Sequence, residues 1–199
     1  MNRIAVFCGS STGFGTIYKE TAITLANLMV AKKIGLVYGG GKIGLMGILA
    51  DTILAKKGEV IGVIPELLKK EEVVHAHVQE MIICKKMSDR KVIMSKLVKG
   101  YIALPGGFGT LDELFEALTL NQLQIEQKPI GLLNVNGFFD AILQQLNTMV
   151  AKGFLKQNNL NMLLVANTAE ELLCKMSLYK APKINAIINK VVTNHDHKL

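Results

Sequence analysis

The chain has 199 residues, 50% hydrophobic and 20% charged. That balance excludes a disordered or linker-like polypeptide and suits one domain with its own core. The formal charge of +7 is spread out, there is no tryptophan, and only 6% of residues are aromatic, so an anionic small molecule accounts for the charge as well as a nucleic-acid polymer would.

Further exclusions follow from the apolar runs and the cysteines. No run approaches the about 18 residues that cross a bilayer, so no membrane partner is expected. The opening stretch Ile4–Cys8 is too short for a signal-peptide core. Cys8, Cys84 and Cys174 are too few and too scattered for a disulfide framework or a zinc site. The expectation is a cytoplasmic protein.

In chain order, β-rich runs alternate with helical patterns. The runs are Ile4–Cys8, Gly35–Tyr38, Val60–Ile64, Met81–Cys84, Tyr101–Leu104, Ile130–Asn134 and Leu163–Ala166. Most are continuously apolar, as in strands covered on both faces. Phe14, Tyr18, Ala22, Leu25 and Met29 recur at helical steps, and similar patterns fill Leu45–Ala55, Lys91–Val98, Leu111–Leu123 and Phe138–Val150. Alternation of this kind predicts an α/β fold, a doubly wound parallel sheet in three α/β/α layers. One domain is expected over residues 1–180, with a peripheral helix and polar tail over 181–199.

Such sheets bind ligands beyond the carboxyl ends of their strands, and unusual residues collect there. The first strand runs into Cys8-Gly9-Ser10-Ser11. The second runs into Gly39-Gly40-Gly41-Lys42-Ile43-Gly44, and the fifth into Pro105-Gly106-Gly107-Phe108-Gly109-Thr110. Gly39, Gly41 and Gly44 match G-x-G-x-x-G. The acid of a dinucleotide fingerprint is missing at the next strand end, so a tight turn and direct ligand contact both stay open. The Pro105–Thr110 run leads into a helix, where uncovered N–H groups and the helix dipole suit a phosphate. A Walker lysine does not follow its last glycine.

Thr110 and Glu113 have the spacing of a capping box, with Thr110 as N-cap. The competing reading turns Glu113 into the cleft as a base or charge. Ser88 is expected as the N-cap of another helix, with Arg90 and Lys91 in its first turn, where cations are disfavoured unless an anion sits nearby. His75 and His77 could share a face, but no third metal ligand is in sight. Cys84 reads as a buried apolar residue. No lysine stands out as a Schiff-base residue.

Met87-Ser88-Asp89-Arg90-Lys91 followed by Pro105-Gly106-Gly107-Phe108-Gly109-Thr110-Leu111-Asp112-Glu113 resembles the LOG (Lonely Guy) family, the cytokinin riboside 5′-monophosphate phosphoribohydrolases. The pattern M-x-x-R-K and then P-G-G-x-G-T-x-x-E is complete. The likeness also takes in Cys8–Ser11, Gly39–Gly47, Gln122-Leu123, Lys128-Pro129, Gly131–Asn134 and Gly153-Phe154. Many members carry the label lysine decarboxylase, which the residues here do not support.

The resemblance implies a Rossmann-like fold, a homodimer, and neither metal nor cofactor. It implies hydrolysis of nucleoside 5′-monophosphates, cytokinin nucleotides or AMP, to free base and ribose 5-phosphate. Carried onto this chain, Arg90 and Glu113 are the catalytic pair. Gly106, Gly107, Phe108, Gly109 and Thr110 hold the phosphate with help from Lys91, and Glu72 and Thr119 are further substrate contacts. Thr119 stands six residues from Glu113, about 240° round an ideal helix. Leu120 occupies a position where the family often has Trp. The cleft also resembles that of carrier proteins that bind molybdenum cofactor without chemistry, which is the alternative reading.

Overall fold

A computed structural model describes residues 2–69 and 74–182. Seven strands make one parallel sheet: β1 (Arg3–Phe7), β2 (Gly35–Tyr38), β3 (Val60–Pro65), β4 (Glu80–Cys84), β5 (Tyr101–Ala103), β6 (Ile130–Leu133) and β7 (Leu163–Ala166). Their order is β4-β3-β2-β1-β5-β6-β7. Seven strands were expected at these places, and the ends differ by one residue.

The helices are α1 (Ile17–Ala31), α2 (Gly44–Ala55), α3 (Glu66–Lys69), α4 (Met87–Leu97), α5 (Phe108–Gln122), α6 (Asp140–Ala151), α7 (Gln157–Leu160) and α8 (Ala169–Leu178). One apolar core joins Ile4, Val6, Leu36 and Tyr38 to α1, α2 and α8. A second joins Ala5, Phe7, Val37 and Tyr101 to α4, α5 and α6. Successive residues of each central strand face opposite cores, which is why those strands carry no polar alternation. Right-handed crossovers place the two helix layers on the two faces.

The topology fixes where the site lies. The chain leaves β1 towards β2 and later returns to lay β5 on its other side, so Ala5 pairs with both Val37 and Tyr101. This reversal opens a crevice at the carboxyl ends of β1 and β5. The three glycine-rich turns, which end β2, β1 and β5, are therefore neighbours.

Three local expectations are corrected. Phe14 is not part of the first helix: α1 begins at Ile17 and Phe14 is fully exposed. Gly13 and Gly15 adopt φ of 69° and 83°, which an α-helix cannot contain. Ser88 is not an N-cap, because α4 starts one residue earlier with Lys86 extended before it. Thr110 is not an N-cap either. Gly107 takes that place, extended at φ −96° and ψ −151°, so α5 starts earlier and Glu113 lies beyond its first turn. The expected capping box does not form. The tail expected beyond 182 lies outside the described residues.

Candidate active site

The turn after β1 is bonded to both of its neighbours. The Gly9 N–H donates to Pro105 O at 3.0 Å, and the Leu45 N–H donates to Gly9 O at 3.1 Å. Gly44, at φ +62°, lies so close that a Cβ there would stand 2.2 Å from the Ser10 carbonyl carbon. The G-x-G-x-x-G segment is thus a packed turn that brings α2 against the first strand's loop. Between these turns lies a cleft of about 340 Å³, walled by Gly9–Gly13, Pro105–Gly107, Leu45, Tyr18 and Phe138. That is the size of a small-ligand site.

The Pro105–Thr110 segment has two kinds of glycine. Gly106 packs tightly, since a Cβ there would meet Thr110 Oγ1 and the Gly9 nitrogen. A Cβ at Gly107 or Gly109 would meet no atom of the described residues within 4 Å. Packing therefore does not require glycine at either position. Their bare backbone opens the first turn of the fifteen-residue α5, where no side chain caps the helix. Unsatisfied N–H groups and the positive end of the helix dipole meet at this point, a ready seat for a phosphate.

Glu113 and Arg90 meet beside this loop. Arg90 projects from the first turn of α4 and places Nη2 3.2 Å from Glu113 Oε1. Glu113 borders Phe7 and Tyr101, on the sheet face covered by α4 and α5. Neither residue lines the 340 Å³ cleft; the Pro105–Gly107 turn belongs to that cleft and leads into the helix that carries Glu113. Gly39 is what lets Arg90 in, because a Cβ at Gly39 would stand 2.2 Å from Nη2. Arg90 Nη1 donates to the Met87 sulfur at 3.6 Å, while buried Nε has no hydrogen-bond partner among the described residues.

The electrostatics follow from this packing. Burial pushes the Glu113 carboxyl above its ordinary value and Asp112 adds to the rise, while Arg90 and, more weakly, Lys91 oppose it. The net direction is upward. Burial likewise pushes the Cys8 thiol far up, with Glu113 adding to the effect and Arg90 opposing it. Cys8 and Cys84 are buried, and the thiol-to-thiolate step that nucleophilic chemistry needs is disfavoured at both.

The remaining sequence-derived residues fall in different places. Thr110 is buried under the loop and touches Gly106. Phe108 is almost fully exposed beside it. Lys91 does not reach towards the loop: its ammonium pairs with Asp112 at 3.0 Å and with Glu116, tying α4 to α5. Thr119 donates its hydroxyl to Phe115 O and lines a separate groove with Leu146 and Leu160, as its position round the helix requires. Glu72 lies outside the described residues.

His75 and His77 do not form a metal pair. His75 is buried with Nε2 3.0 Å from Asp51 Oδ1, and its Nδ1 accepts from the His77 N–H. Among the described residues no group of three or more His, Cys, Asp or Glu could hold a metal ion. Gly39 as the seat of Arg90 and His75 as a buried anchor were not visible in the sequence, because both depend on which strand ends become neighbours.

Comparison with known proteins identifies the family and the fold. The family model described as "Possible lysine decarboxylase" matches residues 46–176. A rice protein (Oryza sativa subsp. japonica) named probable cytokinin riboside 5′-monophosphate phosphoribohydrolase LOGL1 is 44% identical over 177 residues, 89% of this chain and 79% of its own. The cytokinin riboside 5′-monophosphate phosphoribohydrolase LOG2 of Arabidopsis thaliana is 40% identical over 190 residues, 96% of this chain and 89% of its own. The X-ray structure of TM1055 matches with TM-score 0.70 at 19% identity, covering 90% of this chain and 100% of that one. The molybdenum cofactor binding protein of Rippkaea orientalis matches with TM-score 0.66 at 23% identity, covering 88% and 94%. These two likenesses show the fold. The chain belongs to the LOG family, whose model carries the name possible lysine decarboxylase.

Proposed function

We propose that the chain hydrolyses the N-glycosidic bond of nucleoside 5′-monophosphates, cytokinin riboside 5′-monophosphates among them. Water and nucleotide give free base and ribose 5-phosphate. The observation that carries this reading is the buried Arg90–Glu113 pair, set beside an open helix N-terminus in a chain whose relatives bear that activity in their names.

The geometry accounts for the chemistry. Breaking the C1′–N bond builds positive charge on the ribose ring, as in glycoside hydrolysis. A carboxylate held out of water beside that carbon stabilises the charge more than it would in solvent. The raised affinity of Glu113 for a proton also suits it to take one from the attacking water. The Gly107–Thr110 backbone holds the 5′-phosphate and so fixes the sugar relative to Glu113. Arg90 orients Glu113 and offers a cation to the nucleotide. No step requires a cofactor or metal.

A carrier of molybdenum cofactor would share the fold. The Arg90–Glu113 pair favours hydrolysis, because a carboxylate beside a bound anion does nothing for a carrier. Incubation with AMP separates the two: stoichiometric adenine and ribose 5-phosphate support the enzyme, and unchanged nucleotide returned from a tight complex supports the carrier.

The working form we propose is a homodimer in the cytoplasm. Met87 and Val92 on α4, and Phe108 on α5, are apolar and exposed, as faces that meet a second copy are. All three cysteines are free, as a reducing compartment keeps them. Light scattering tests the dimer, and localisation of a tagged chain tests the compartment.

A further inference from the structure

The geometry points to His75 as a positioning residue for Arg90, acting through the glycine turn after β2. The inference rests on Arg90 and Glu113 being the catalytic pair. Residues 74–78 run past that turn as a strap. Val74 bridges Gly41, and the His75 N–H donates to Gly40 O at 2.9 Å. Gly39, next in the same turn, is the surface on which the Arg90 guanidinium rests.

Both ring nitrogens of His75 are committed. Nδ1 accepts from the His77 N–H at 3.3 Å, so Nε2 carries the proton and donates it to Asp51 Oδ1 at 3.0 Å. The His75 side chain is 4% exposed and that of Asp51 is 70% exposed. Asp51 lies on α2, the helix that grows out of the same turn. The buried ring thus ties the strap to the helix behind the turn, while the strap's own backbone holds the turn. Among the described residues Arg90 has few bonds of its own, with Nε unpartnered and Nη1 on a sulfur. Its distance to Glu113 is therefore set largely by the wall it rests on.

Loss of the lock changes the charge around Glu113. Among the described residues, the groups that act on that carboxyl are Arg90 and Lys91 from α4 and Asp112 and Glu116 from α5, and it in turn raises the Cys8 thiol at the end of β1. Arg90 is the strongest of those that hold it down. A turn that shifts lets Arg90 withdraw, and the Glu113 carboxyl then rises further.

The test compares His75→Ala, His75→Gln and Asp51→Asn with the wild-type full chain, alone and in an Arg90→Ala background. Base release from AMP is followed against pH, and the Glu113 carboxyl is titrated by ¹³C NMR. His75→Gln keeps a donor for Asp51 and should stay near wild type. His75→Ala should lower kcat/KM on the order of tenfold by misplacing the pair. It should also raise the acid limb of the pH profile and the Glu113 titration together, and do neither in the Arg90→Ala background. If His75→Ala does not fold, Asp51→Asn, altered at a mostly exposed position, should show a smaller shift of the same sign. A folded His75→Ala protein with an unmoved Glu113 titration, or an equal loss in both backgrounds, overturns the inference. Absence of base release by the wild type would instead overturn the catalytic reading, and the NMR titration would still decide the positioning role.

Discussion

Arg90 Nη2 stands 3.2 Å from Glu113 Oε1, and the two side chains are 14% and 10% exposed. A charge pair this enclosed costs desolvation on both sides, and stability alone is a weak reason to keep it. Its proposed reason is chemical: the carboxylate faces the positive charge that builds as the glycosidic bond breaks.

Glu113→Gln retains size and hydrogen-bonding capacity but loses the charge and the proton affinity. Base release should fall by about 10²- to 10⁴-fold, with nucleotide binding preserved. Burial outweighs the attraction of Arg90 at that carboxyl, so loss of the charge should leave the melting temperature at neutral pH no lower than that of the wild type. Single-turnover kinetics beside a thermal melt checks both.

The acid limb of kcat/KM should lie above the about 4.3 of an ordinary glutamate, because burial raises the Glu113 carboxyl. The linkage sign follows from the same shift. A group whose folded-state pKa is raised contributes its stability fully below the unfolded value and loses it as pH rises through the folded value. Wild type should therefore lose stability relative to Glu113→Gln across that window as pH rises. Paired denaturant titrations through the window measure this. A difference that grows in the opposite direction would contradict the burial argument.

The glycines separate by role. Gly109→Ala meets no atom of the described residues within 4 Å, so the fold should be unchanged, while the added methyl stands where phosphate is proposed and KM should rise about tenfold or more. Gly44→Ala, at φ +62° and against the Ser10 backbone, should destabilise by roughly 2 kcal/mol or more through strain and clash. Calorimetry and a KM series on the two variants should give opposite patterns.

Lys128 closes a polar cluster behind the site. Its ammonium reaches Ser95 O at 2.7 Å, Tyr101 Oη at 3.2 Å and Glu126 Oε1 at 3.1 Å. Burial would raise the Glu126 carboxyl, but hydrogen bonds from Ser95, Tyr101 and Lys128 outweigh it and hold the group low. A lowered carboxyl contributes its stability above the unfolded value and loses it as pH falls through the folded one. Lys128→Met should cost about 2–3 kcal/mol at neutral pH, because the enclosed Glu126 loses its counter-charge and keeps only the Ser95 and Tyr101 hydroxyls. Its deficit should shrink in acid, as followed by urea unfolding at several pH values.

Much of this was legible in the sequence, for identifiable reasons. The strands could be read because both faces of each central strand are covered, which leaves unbroken apolar runs such as Val60–Ile64. The convergence of three glycine-rich ends could be read because parallel topology forces those ends to one edge. Helix starts were less legible. Thr110-x-x-Glu113 and Ser88 have capping chemistry, but Gly107 and Lys86 take the extended position before the helix, and a local pattern does not reveal which neighbour does so. Lys91 follows Arg90 in sequence yet turns to Asp112 and Glu116, since adjacent helical residues point about 100° apart. Gly39 under Arg90 depends on contacts between segments far apart in sequence.

The most direct test of the central claim is release of free base from AMP and from isopentenyladenosine 5′-monophosphate by the purified chain, with Glu113→Gln run in parallel. The account predicts base and ribose 5-phosphate in equal amounts from at least one nucleotide, and near-complete loss in a folded Glu113→Gln protein that still binds nucleotide. Full turnover by Glu113→Gln, or tight binding of both nucleotides by the wild type without any base release, would contradict it.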